Sequence, residues 1–195
     1  MIRHGQTDYN LRGIVQGSGI DAPLNNTGIV QAQAFYDVYK SAAFDKVYTS
    51  TLQRSFQSVD GFIKDDIPHE QLSGLNEISW GDREGVVFTP NEDAYYHQVI
   101  SNWQQGNTSL PIEGGESPEM VLERQKIALE HILKGEEETI LICMHGRAMR
   151  ILLCLMLNYP LQFMDEFEHT NLCLYKINYT GNMFSIDWHN DQRHL

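Results

Sequence analysis

The chain has 195 residues, enough for one domain that buries about 70% of its unfolded surface without disulfides or a metal. Apolar residues make up 42% and charged residues 21%, which excludes disordered, collagen-like and coiled-coil readings. A net charge of −12 gives a surface that repels nucleic acid and anionic membranes, so neither is an expected partner. The three cysteines, Cys143, Cys154 and Cys173, lie in apolar runs with no C-x-x-C spacing. They read as buried, reduced thiols of a cytoplasmic protein. No signal-peptide pattern opens the sequence. The most apolar stretch, 139–157, carries His145, Arg147 and Arg150, which a membrane span would have to bury.

In chain order, Met1-Ile2 reads as the end of a strand. Thr27 is placed to cap a helix over 28–40, with Ile29, Ala32, Phe35, Tyr36 and Tyr39 on one face. Residues 46–49 read as a short strand, 52–63 as a helix and the aromatic-rich 93–103 as another. Ser117-Pro118-Glu119 combines a capping hydroxyl, a proline at the first position and an acid in the first turn, so a helix should run from there to residue 133. The unbroken apolar run 139–144 suits a strand buried on both faces, and 147–157 suits a helix. Segments 172–177 and 183–188 flank Tyr179-Thr180-Gly181-Asn182, a hairpin signal. This alternation predicts an α/β fold: a mostly parallel central sheet, helices on both faces, and an antiparallel strand near the C-terminus. With no repeat or linker, residues 1–195 read as one domain, with a short cap segment around 86–113.

Two places share one pattern. Met1-Ile2-Arg3-His4-Gly5 and Ile142-Cys143-Met144-His145-Gly146 are each an apolar strand end, a histidine and a glycine. Ligands of parallel sheets bind beyond the carboxyl ends of strands, so both histidines belong there. The glycines, including Gly146, permit a sharp turn and close approach of a ligand. A third strand end, Val47-Tyr48-Thr49-Ser50, leads into a helix carrying Arg54, where free amides and a guanidinium would hold an anion. Of the eight arginines, Arg3, Arg12, Arg54, Arg147 and Arg150 fall in these segments. Guanidinium groups gathered at strand ends of an acidic protein point to a phosphoryl ligand, which arginine grips bidentately. For Arg147 and Arg150 a place on the helix surface is an equal reading. Arg124, mid-helix, reads as one half of a structural ion pair. The remaining histidines, His69, His97, His131, His169, His189 and His194, read as structural or surface residues. No H-E-x-x-H, H-x-H or C-x-x-C spacing suggests a metal.

Arg3-His4-Gly5-Gln6-Thr7 followed by Asn10 resembles the signature of the histidine phosphatase superfamily, in its phosphoglycerate mutase-like branch. The resemblance runs nearly the whole length. It continues through Gly17 with Asp21-Ala22-Pro23-Leu24, Thr27-x-x-x-Gln31-Ala32, and Tyr48-Thr49-Ser50-Thr51-Leu52-Gln53-Arg54-Ser55. Further on it takes in Leu75-Asn76-Glu77-Ile78, Trp80-Gly81-Asp82-Arg83-Glu84-Gly85, Gly114-Gly115-Glu116-Ser117, His145-Gly146-Arg147 and the ending from Trp188-His189-Asn190-Asp191 through His194-Leu195. Two departures stand out. Only Met1 and Ile2 precede Arg3, so the first strand is short or trimmed. The segment between Gly85 and Gly114 holds no Lys or Arg, whereas resemblance to true phosphoglycerate mutases would call for adjacent basic residues there.

The chemistry expected of these residue types needs no cofactor. A neutral imidazole nitrogen of His4 takes the phosphoryl group. Arg3, Arg54, a protonated His145, Asn10 and the Gly146 turn hold its oxygens. Glu77 protonates the leaving oxygen, and its carboxylate then takes a proton from the water that attacks phospho-His4. Glu84 and Glu116 are the alternative acids. The resemblance implies the same roles. The expected activity is a metal-independent phosphomonoesterase acting on a small phosphorylated metabolite. The alternatives are a phosphoglycerate mutase-type isomerase and a weakly active interaction module on the same fold. Glu92, Asp93 and Glu113 in the cap should repel a second anionic group. Tyr95, Tyr96 and Trp103 either wall the pocket or pack the core. Monomer and homodimer both remain open.

Overall fold

The computed structural model describes residues 1–87 and 89–195. The chain opens on a two-residue strand, β1 (Ile2–Arg3), followed by helices α1 (Asp8–Arg12) and α2 (Asn26–Tyr39). Strand β2 (Lys46–Thr49), helices α3 (Gln53–Gln57) and α4 (Asp60–Lys64) and strand β3 (His69–Gln71) come next. Two 3-10 turns, Ser73–Leu75 and Gly81–Arg83, lead to α5 (Pro90–Gln104) and α6 (Pro118–Leu133). Strand β4 (Ile140–Met144), helix α7 (Gly146–Met156), a 3-10 stretch over Leu161–Glu166 and the hairpin β5 (Leu174–Tyr179) and β6 (Phe184–Asp191) complete the described elements.

The six strands form one sheet in the order β3-β2-β4-β1-β5-β6. β3, β2, β4 and β1 are parallel, while β5 runs against β1 and β6 against β5. The sheet is therefore mostly parallel, as expected, with an antiparallel pair where the hairpin signal lay. β1 is short but lies inside the sheet, paired on both sides. Side chains alternate across the plane. Val47, Leu141 and Cys143 face the Phe35–Phe62 cluster beneath α2 and α4, while Tyr48, Ile142 and Met144 face the larger core under α5, α6 and α7. Burying each such chain contributes roughly 1.5–3 kcal/mol.

The register aligns the three strand ends that carry the motifs. Arg3 pairs with Met144 and Thr49 with Cys143. His4, Ser50 and His145, each the first residue past its strand, therefore emerge together at one edge.

Three sequence expectations shift. α2 is capped by Asn25, whose Oδ1 accepts the Gly28 amide at 2.9 Å, not by Thr27. The inward position at that end belongs to Gly28, which packs on the Gln6 backbone, so Ile29, one residue on, turns outward and is 56% exposed. The helix expected over 52–63 is two helices. The Ser58 hydroxyl donates to the Arg54 carbonyl at 2.7 Å and accepts the Gly5 amide at 2.9 Å, ending α3 where the chain must meet β1. α5 begins at Pro90 under a Thr89 cap, three residues before Asp93. β3 lacked a signal because its three residues, His-Glu-Gln, are polar. Among the described residues, no helix is long and apolar enough to cross a membrane.

Candidate active site

His4 is 3% exposed, and its ring is oriented by its own neighbour. Nδ1–H donates to the Gly5 carbonyl at 2.7 Å. That bond fixes the tautomer and leaves the lone pair on Nε2. The His145 ring lies 5.1 Å away, centroid to centroid. Arg54 is fully buried, its guanidinium held by the carbonyls of Ile20 at 2.7 Å and Gly17 at 3.1 Å, while Nε donates to His145 Nδ1 at 3.2 Å. Arg3 donates through Nη1 to His169 Nδ1 at 3.2 Å, and its buried Nε has no partner among the described residues. Asn10 closes a capping box with Thr7: its Oδ1 accepts the Thr7 amide at 3.1 Å and the Asn171 side chain at 3.2 Å. The capacity left to that side chain is its donor NH2.

Glu77 lies at the N-terminus of α7. Its Oε1 accepts the amides of Ala148 at 2.8 Å and Ile78 at 2.9 Å, and its Oε2 accepts the Arg147 amide at 3.1 Å. The otherwise unpaired amides at the start of α7 fix this side chain in place. Behind it, Arg124 clamps the loop, donating to the carbonyls of Gly74, Asn76 and Glu77 at 2.9–3.0 Å and pairing with Glu116 at 2.9 Å. The expected structural role of Arg124 is what the geometry has.

The electrostatics favour neutral imidazoles among fixed cations. Burial, then Arg54 and Arg3, hold His4 well below the usual imidazole range. Burial, then Arg54, His4 and Arg3, do the same to His145. Burial lowers Arg54 to about 10 and Arg3 in the same direction. A protonated His145 was expected, but these surroundings keep it neutral until an anion adds the opposite charge.

The structure gathers His4, Arg3, Asn10, Arg54, Glu77, His145 and Gly146 at one edge of the sheet. It redraws several other expectations. Free amides at the start of α3 were expected to hold an anion, yet those of Thr51, Leu52 and Gln53 are taken by Asn76, Ser50 and Asp21. Gly146 is glycine for packing and not for a left-handed turn: a Cβ there would sit 2.9 Å from the His169 ring. Gly5 is similar, since a Cβ would meet the Gly28 carbonyl at 2.8 Å. Arg12 is exposed on the surface, and Arg147 and Arg150 both bind Asp165. Of the carboxylates expected to repel an anion, Glu92 and Glu113 are paired with Arg83 at 2.8 and 2.9 Å, so their repulsion is largely neutralised. Trp103 is fully buried and donates to the Leu110 carbonyl, and Trp80 stacks on Tyr96, so these rings belong to the core.

Three contributors were missed. Ser50 binds His145 Nε2 at 2.7 Å. Asn171 joins the His4 carbonyl at 2.9 Å to Asn10. His169, read as structural, holds Arg3 and is lowered to about 2 by burial, then Arg3, Arg150 and Arg147. The last two precede β5. Because β5 is antiparallel to β1, the chain entering it lies at the carboxyl edge of the parallel strands, a signal the predicted hairpin already contained.

A family model described as histidine phosphatase superfamily (branch 1) matches residues 1–192. The chain is 26% identical over 197 residues to the putative phosphoserine phosphatase 2 of Hydrogenobacter thermophilus, spanning 100% of this chain and 95% of that one. It is 29% identical over 160 residues to the 2,3-bisphosphoglycerate-dependent phosphoglycerate mutase of Cytophaga hutchinsonii, spanning 78% and 74%. The solved structure of YhfR from Bacillus stearothermophilus superposes with a TM-score of 0.85 at 27% identity, over 99% of this chain and 96% of the other. The chain belongs to the histidine phosphatase superfamily, and its relatives carry the names of phosphatases and of mutases.

Proposed function

We propose that this histidine phosphatase hydrolyses phosphate monoesters of small metabolites through a phosphohistidine at His4. The observation that carries the reading is the His4 tautomer. With Nδ1–H tied to the Gly5 carbonyl, Nε2 is a neutral nucleophile beside two arginines and a second histidine. Nε2 attacks phosphorus, and the bond from phosphorus to the ester oxygen breaks. Arg3, Arg54, the Asn10 amide and the Gly146 N–H hold the phosphoryl oxygens. The bound dianion favours proton uptake at His145 Nδ1, which then donates to the same group. Protonated Glu77 gives its proton to the departing alkoxide, releasing the alcohol. Ionised Glu77 next takes a proton from water, whose oxygen attacks phospho-His4 and releases inorganic phosphate.

Hydrolysis is favoured over isomerisation by what covers the site. We read 86–113 as a short cap within a single domain 1–195. The segment has no Lys or Arg, and Arg83, which reaches it from outside, is engaged by Glu92 and Glu113. The cap therefore offers no free cation for a second acidic group. The three buried free thiols support a reducing, cytoplasmic setting. The test is to supply 3-phosphoglycerate with a trace of the 2,3-bisphosphate and follow both products. Phosphate release should match substrate loss. Isomerisation faster than phosphate release by about tenfold, a difference of about 1.4 kcal/mol in barrier, would make the protein a mutase. Arg147 and Arg150 would then be the cations to examine.

A further inference from the structure

Ser50 is buried directly beyond β2, and its hydroxyl touches three groups. It lies 2.7 Å from His145 Nε2, 2.8 Å from Ser55 Oγ, and 3.1 Å from the Leu52 amide, which donates to it. Ser55 Oγ in turn donates to the Leu52 carbonyl at 2.7 Å.

A hydroxyl has one proton and two lone pairs, so the directions can be worked out. The Ser55 proton goes to the Leu52 carbonyl, which makes Ser55 Oγ the acceptor of the Ser50 proton. Ser50 then has only lone pairs left. One takes the Leu52 amide and the other takes a proton from His145 Nε2. The far side of the ring agrees, because Arg54 Nε donates to His145 Nδ1, which must carry a lone pair. We propose that Ser50, backed by Ser55, is a positioning residue that holds His145 as the Nε2–H tautomer and turns its Nδ1 lone pair toward Arg54 and the phosphoryl site.

The consequence is a ring prepared for charge. Proton uptake from solvent at Nδ1 breaks the hydrogen bond from Arg54 Nε; a bound phosphoryl oxygen then accepts from both Arg54 Nε–H and His145 Nδ1–H, while Ser50 keeps the Nε2 proton. Without Ser50 the Nε2 proton has no partner in a buried place, and the other tautomer becomes accessible. In that tautomer, before a phosphoryl oxygen accepts from both, Nδ1–H faces the Arg54 N–H, donor against donor. This rests on the proposed role of His145, and the experiment separates the two.

The experiment combines a double-mutant cycle with ring-nitrogen NMR of the intact protein. Ser50→Ala and Ser55→Ala are made singly, His145→Gln alone and with Ser50→Ala, and thermal melts verify folding. The His145 ring resonances, assigned by their loss in His145→Gln, should show the Nε2–H tautomer in the parent and a mixture in Ser50→Ala. Ser50→Ala should lower kcat by about tenfold to a hundredfold, the scale of one hydrogen bond to a charged group, with KM nearly unchanged. Ser55→Ala should fall between Ser50→Ala and the parent. On the His145→Gln background, Ser50→Ala should change kcat by less than about twofold. Additive losses, or an unchanged tautomer in Ser50→Ala, would overturn the inference while leaving the site reading intact. Full activity in His145→Gln would overturn the site reading and the catalytic consequence of Ser50 with it.

Discussion

Replacing Glu77 by glutamine keeps the side chain's shape and removes both its proton and one acceptor. The two oxygens of Glu77 accept three backbone amides: Ile78 and Ala148 on Oε1, Arg147 on Oε2. A glutamine offers one oxygen and one NH2. With the oxygen toward Ile78 and Ala148, one buried amide faces a donor; flipped, two do. The first arrangement is the cheaper and costs about 1–3 kcal/mol, the penalty for one unsatisfied buried N–H. At about 2–4 °C per kcal/mol for a domain of this size, the melting temperature should drop by about 2–12 °C. Well below that temperature the chemical effect stands alone. For alkyl phosphates, whose leaving oxygen must be protonated, kcat/KM should fall by about 10²–10⁴-fold. For p-nitrophenyl phosphate, whose leaving group needs little protonation, the loss should be much smaller. Both substrates are assayed side by side with the parent and the variant. Equal losses would refute the assignment of Glu77 as the acid. Attention would then pass to Glu84, whose buried Oε2 has no partner among the described residues, because Glu116 is committed to Arg124 and the Ser79 amide.

Three further outcomes follow from the same contacts. Gly146→Ala places a methyl 2.9 Å from the His169 ring, so it should cost about 1–3 kcal/mol in urea unfolding and raise KM for phosphate esters as Arg3 loses its support. Arg124→Met strips donors from three carbonyls and leaves Glu116 with the Ser79 amide alone; denaturation should show a loss of about 3–5 kcal/mol, with kcat falling as the Glu77 loop loosens. His4, His145 and His169 all have folded pKa values below the unfolded 6.5, so with no phosphoryl group bound they take up protons on unfolding. Their contribution to stability is full above that pH and is lost as pH falls through it, by up to about 1.4 kcal/mol per pH unit for each ring. Urea midpoints measured across this range should show that decline, and His169→Asn should remove one ring's share of the slope. An unchanged slope would mean that His169 is protonated in the folded state.

Much of the site was legible because it sits at strand ends. An apolar run that stops at Arg-His-Gly or at His-Gly marks its own position, and parallel pairing brings such ends together. The same logic predicted the sheet. What escaped depends on distant chain. Ser50 lay inside a recognised segment, but only the fold shows that its hydroxyl meets a ring 95 positions away. His169 and Asn171 lie in an irregular approach to β5, where no periodicity marks a side chain as inward. The split between α3 and α4 arises from Ser58 bonding both its own helix and Gly5, a competition that helix propensity does not register. Glu92 and Glu113 looked repulsive because Arg83, which pairs with both, stands just outside 86–113 in sequence.

The central claim is a phosphoryl group carried on His4 Nε2, and trapping that group tests it most directly. A radiolabelled phosphate monoester is mixed with the protein, quenched in base within the turnover time and digested for mass spectrometry. The predicted result is an acid-labile, base-stable phosphoryl group on the peptide containing His4, absent from His4→Ala, with Nδ1 still bound to the Gly5 carbonyl. A label that survives in His4→Ala, or that maps to His145 in the parent, would contradict the account.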